Sequence, residues 1–129
     1  MEFRENEAIY LQIADFVSNN MLLRKWQTDE KIPSVRDLAI ELQVNLNTVM
    51  HAYEFLETQG VIYNKRGIGF FIDSKGFDKV MSLRKEKFLK QDLPQLFSNM
   101  FLLEIPAADI LSRFEQFREK ASKAKPKKL

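Results

Sequence analysis

Apolar positions fall at helical spacing from the start of the chain. Ile9, Ile13, Phe16, Val17 and Leu22 predict a helix over residues 8–24, free of Gly and Pro. Arg24 and Lys25 fall in its last turn, where cations complement the carbonyl end of the helix dipole or reach a phosphate. Residues 26–33 read as a loop ending in Ile32-Pro33. Ser34 then stands as an N-cap with Asp37 three residues on, a capping-box-like pattern. Val35, Leu38, Ala39 and Leu42 give the following two-turn helix one apolar face. After a short turn at Gln43–Val44, Asn45 is a second N-cap candidate. A third helix is predicted from about Leu46 to Thr58, with Val49, Ala52, Tyr53 and Leu56 inward and Gly60 as the residue that ends it.

The period then changes from helical to alternating. Val61-Ile62-Tyr63 and Phe70-Phe71-Ile72 read as two strands around the tip NKRGIG, a small hairpin. Tyr53 is expected in the core, as is one of Phe70 and Phe71. Residues 76–103 return to helical spacing with a broad apolar face, and Pro94 is expected to kink or restart the helix. Ile105-Pro106 ends that segment, and a last helix is predicted over about 107–121. The tail SKAKPKKL reads as polar, basic and disordered. Residues 1–74, 75–121 and 122–129 are therefore expected as three parts: a helix-and-hairpin domain, a two-helix region and a basic tail.

Helix, helix, turn, helix, hairpin is the order of a winged helix-turn-helix. The expected fold class is mainly α with a small β-hairpin wing, followed by two C-terminal helices. In such a fold the third helix enters the major groove and its N-terminal half reaches base edges. Asn45, Leu46, Asn47, Thr48 and His51 occupy that half. Asn matches an adenine edge with two hydrogen bonds, and Ser or Thr suits a phosphate oxygen. Ser34 and Arg36 sit at the start of the second helix, where free N–H groups attract phosphate. Lys65, Arg66 and Gly67 lie at the wing tip.

Composition narrows the alternatives. There is no cysteine, which removes disulfides and thiolate chemistry, and one histidine, which leaves His51 as a groove-facing or merely solvated side chain. No run of about 18 apolar residues exists, and the acidic start lacks an apolar signal core, so a cytoplasmic address is expected without membrane contact. No catalytic frame, metal cluster or cofactor motif emerges, and the chain reads as a non-enzyme. Residues 1–72 hold 7 Lys/Arg against 10 Asp/Glu, while residues 73–129 hold 13 against 8. DNA binding by the first part thus depends on where its few cations sit. The net acidity keeps open a second reading, a winged-helix protein-interaction module without specific DNA binding. Lys79, Arg84, Lys85, Lys87 and Lys90 read as the wet face of a helix.

The runs IPSVRDLA, LQVNLNTVMHAYEFLETQGVI and RGIGFFI together resemble the DNA-binding signature of the GntR family of bacterial transcription regulators. The likeness covers about residues 8–72. It implies that Ser34, Arg36, Asn47, Thr48 and the wing around Arg66-Gly67 contact operator DNA. Leu46 stands where many family members carry Arg, and the N-L-N-T-V run resembles the YtrA-type branch. That makes Asn47 the candidate for direct base readout. The short remainder of the chain also resembles that branch, whose two-helix appendage dimerises. Phe88, Leu96, Phe97, Met100, Phe101, Ile110, Phe114 and Phe117 are the expected dimer face, since isolated amphipathic helices leave such residues uncovered. A two-fold pair would set two reading helices one DNA turn, about 34 Å, apart. The implied function is that of a dimeric repressor, with helix 46–58 in the major groove and the 63–70 wing on flanking DNA. A small-molecule effector would be compatible with this arrangement, but no residue identifies one.

Overall fold

A computed structural model describes residues 1–124. The chain forms α1 (Ile9–Leu22), α2 (Val35–Leu42), α3 (Leu46–Thr58), β1 (Ile62–Lys65), β2 (Gly69–Ile72), α4 (Gly76–Lys87), one π-helical turn (Phe88–Asp92), α5 (Leu93–Leu102) and α6 (Ala107–Ala124). It divides into two compact units, Met1–Leu83 and Arg84–Leu129, with the division inside α4. Among the described residues no helix is long and apolar enough to cross a membrane.

In the first unit α1 and α2 pack on α3 through the stripes that helical spacing predicts. Ile13, Val17, Leu38, Val49, Tyr53 and Leu56 are essentially inaccessible to solvent. The hairpin closes the core with Val61, Ile62 and Ile72, and Val80 of α4 joins them. Buried Gln12 ties down the N-terminal segment. Its Oε1 accepts from the Arg4 N–H at 2.7 Å, and its Nε2 donates to the Arg4 and Glu7 carbonyls at 2.8 and 2.9 Å. Those bonds neutralise the cost of burying an amide.

Three differences from the sequence expectation have physical causes. First, α1 ends at Leu22, short of Arg24. Arg24 adopts φ 63°, and its guanidinium lies 3.5 Å from the centroid of the Phe77 ring. A cation-π contact thus occupies the side chain that the sequence offers to the helix end or to phosphate. Second, the loop over 26–33 is partly a strand edge. The Ile32 N–H donates to the Phe70 carbonyl and the Ile72 N–H to the Glu30 carbonyl, both at 3.0 Å, and Lys31 bridges to Phe71. The apolar alternation there is too short to register alone; the hairpin supplies the partner. Third, α4 continues the first unit. Gly76 is buried where any Cβ would run into the Val61 carbonyl oxygen, so only glycine lets α4 start so close to the hairpin.

The turn between α2 and α3 rests on Gln43, which takes φ 56°. The Val44 N–H reaches back to the Ala39 carbonyl at 3.0 Å, closing the helix as a left-handed cap usually held by glycine. Gln43→Gly is therefore expected to stabilise the protein by about 0.5–1 kcal/mol. That figure is the strain of a side chain in this conformation less the extra chain entropy of glycine. Urea unfolding checks it, and a lower midpoint would contradict it.

In the second unit Pro94 sits in the first turn of α5, as a restart requires. The wide turn immediately before it accommodates a residue that cannot donate and whose ring crowds the preceding turn. None of the residues of α5 or α6 is buried within the chain. α6 runs through Ser122, Lys123 and Ala124. Residues 125–129 of the expected tail lie outside the described residues.

Candidate nucleic-acid interface

The start of α2 is built as expected from its cap. The Asp37 N–H donates to Ser34 Oγ at 3.0 Å, leaving the first backbone N–H groups pointing out of the helix beside exposed Arg36. The chain entering that end is held by Tyr53, whose hydroxyl donates to the Pro33 carbonyl at 2.6 Å. The same ring meets Phe70 of the wing edge-on, with centroids 4.9 Å apart. One buried side chain of α3 thus spaces the start of α2 and the wing from the helix between them.

Burial, then the negative charges of Glu41 and Asp37, pushes the Tyr53 hydroxyl well above the ordinary tyrosine range. An unfolded tyrosine releases its proton near pH 10. Above that pH the unfolded chain binds fewer protons than the folded one. Stability is then fully present below about pH 10 and falls above it, by up to about 1.4 kcal/mol per pH unit. Tyr53→Phe is expected to cost about 1–2 kcal/mol at pH 7, by leaving the Pro33 carbonyl unpaired, and to remove that alkaline slope. Urea midpoints of both proteins at pH 7 and 10.5 measure it; parallel losses in the two would contradict it.

On α3 the two faces separate as the stripe predicts. Val49, Ala52, Tyr53 and Leu56 are buried, while Leu46, Asn47, Met50, His51 and Glu54 are exposed and Thr48 is half-buried. Asn45 acts first as a cap, its Oδ1 accepting from the Asn47 N–H at 2.8 Å. His51 is stacked on Tyr10 of α1, with ring centroids 3.7 Å apart and planes 15° from parallel. Its ring is held against the neighbouring helix instead of extending freely from α3. The Asn47 side chain carries no engagement of that kind among the described contacts; its bond to Asn45 is made by its backbone N–H.

The wing pairs Lys65 with Gly69 and Tyr63 with Phe71. Its tip is a turn in which the Ile68 N–H donates to the Lys65 carbonyl at 2.8 Å and Gly67 takes φ 79° at the third position. That is the position of a type II turn that needs glycine. Lys65, Arg66, Gly67 and Ile68 are exposed. Lys31 joins them, because its side chain lies across Gly69, close enough for its Cε to be 2.9 Å from a Cβ placed there. Sequence reasoning missed Lys31, which sits in a stretch that reads as loop, and Met50, which reads as an ordinary helical apolar residue. Of the seven cations in residues 1–72, Lys31, Arg36, Lys65 and Arg66 thus stand at the start of α2 or on the wing. Among the described residues no group of three His, Cys, Asp or Glu side chains is placed to hold a metal ion.

Residues 9–72 match the family described as bacterial regulatory proteins, gntR family. The chain is 30% identical over 118 residues to the uncharacterised HTH-type transcriptional regulator YhcF of Bacillus subtilis, covering 92% of this chain and 96% of that protein. It is 36% identical over 93 residues to the HTH-type transcriptional repressor YtrA of the same organism, covering 72% and 71%. A GntR-family regulator structure from Bacteroides thetaiotaomicron superposes with a TM-score of 0.70 at 44% identity, over 88% of this chain and 99% of that one. The NTD of AraR, solved in complex with mutant ORR3, superposes with a TM-score of 0.51 at 28% identity, over 54% and 99%.

Proposed function

The chain belongs to the gntR family of bacterial regulatory proteins, and on that premise we propose that it is a dimeric, sequence-specific repressor of transcription. The observation that carries the reading is the division of α3. One stripe is wholly buried, and the opposite face is exposed and flanked by capped helix N-termini and a basic wing. In this reading α3 lies in the major groove with Asn47 on an adenine edge. Ser34, Arg36 and Thr48 meet phosphates, with free N–H groups at the start of α2 beside them. Lys31, Lys65, Arg66 and Gly67 follow the flanking backbone. Asn45 and His51 shape the surface through the cap and the ring stack, and Leu46 opens the helix at the groove.

The second unit supports a homodimer. Phe88, Phe97, Phe101, Phe114 and Phe117 are between 48% and 84% exposed, and Leu96, Met100 and Ile110 are half-buried. A patch of that kind is covered in solution by a partner. A second copy of the same helices is self-complementary to it by symmetry.

Binding to duplex DNA from the protein's own promoter region tests the function. Affinity is expected to fall linearly with salt on logarithmic axes, and Lys31→Ala to lower the slope by about one. The absence of a specific, salt-sensitive complex would favour a protein-interaction module instead.

A further inference from the structure

α3 carries neither arginine nor lysine, so the commonest specific contact, a bidentate cation on guanine, is unavailable to it. Its exposed face instead presents two large apolar side chains. Leu46 is 44% and Met50 40% exposed, although both lie on a helix with a well-filled apolar stripe elsewhere. They are four residues apart, so they stand about 40° from one another around the axis and about 6 Å along it. That separation spans about two base-pair steps. Asn47 adjoins them on the same exposed turn.

We propose that Leu46 and Met50 form an apolar pair that reads thymine C5-methyl groups at neighbouring positions of each operator half-site. The proposal rests on the docking of α3 in the major groove. Of the base edges in that groove, only thymine offers a methyl group, and a leucine or methionine over cytosine or guanine would strip water from polar base atoms without replacing their hydrogen bonds. The unbranched, polarisable methionine adapts to the methyl that the stiffer leucine leaves beside it. Asn47 on an adjacent adenine completes a core of A·T pairs. On this reading the exposed face of α3 selects thymine methyl groups, where a cation would select guanine.

The test starts with duplexes selected from a randomised pool by the wild-type protein. Each thymine of the selected half-site is then replaced by deoxyuridine, which keeps every hydrogen-bonding edge and removes only the methyl. One or two replacements are expected to weaken wild-type binding roughly fourfold each, the factor for one buried methyl group. Leu46→Ala/Met50→Ala is expected to bind the thymine and deoxyuridine duplexes equally. Both side chains are exposed and alanine favours the helix, so the variant keeps its fold, and its urea midpoint reports this independently of DNA. The inference is overturned if no deoxyuridine weakens wild-type binding, or if the loss persists in the double variant. Enrichment of a half-site whose contacted core is all G·C also overturns it, while leaving the repressor reading intact. Failure to enrich any sequence would overturn both.

Discussion

Phe97→Glu combined with Phe101→Glu is expected to turn the protein from a dimer into a monomer and to lower its affinity for a full operator by about 10²–10⁴. Phe97 and Phe101 are 57% and 84% exposed, one turn apart on α5, so neither holds the fold of the single chain. Covering them with a second copy removes a large apolar area from water, and a carboxylate on each would have to be desolvated in the same place. The loss on DNA is larger than that of any single contact. With two linked reading units the second binding event is intramolecular, and a monomer forfeits that advantage altogether. Sedimentation at micromolar concentration together with titration of full and half operators measures both effects. The monomer is expected to bind a half-site as the wild-type does. Wild-type protein that already sediments as a monomer, or a variant that stays dimeric, would refute the assigned interface.

Loss of the reading contacts is the second large effect, and its two components differ in kind. Asn47→Ala is expected to weaken the cognate operator by about ten- to a hundredfold, the range for one bidentate base contact, while leaving non-specific DNA binding unchanged. Arg36→Ala is expected to weaken all sequences alike and to reduce the salt slope by about one. Both side chains are exposed, and the Asn47 contact that caps α3 is made by its backbone N–H, which alanine retains. Thermal midpoints should therefore stay within a few degrees of wild-type. Binding isotherms at three salt concentrations separate the two. If Asn47→Ala lowered affinity uniformly across sequences, that residue would belong to the backbone contacts and not to the readout.

The candidate surface was legible to different depths. Ser34 and Asn45 were recognisable because a cap is a local bond, made within three residues of its own donor. The wing turn was recognisable for the same reason, since Gly67 answers a backbone angle that its neighbours demand. Lys31 was not, because it matters only through Gly69, on a strand far along the chain. Nor was the engagement of His51, which depends on a ring contributed by α1. Arg24 read as a cation for the end of α1 or for phosphate, and the approach of Phe77 gave it a different partner.

By itself the sequence determined the order of the elements, the inward stripe of α3, the caps and the restart at Pro94. Each follows from spacing and backbone chemistry within a few residues, where propensity and periodicity act. Tertiary structure alone decided that His51 stacks on Tyr10, that residues 29–32 edge the wing, and that Tyr53 spaces the start of α2 from the wing. Those outcomes depend on contacts between segments distant in the chain, and a local pattern carries no information about which partner will arrive.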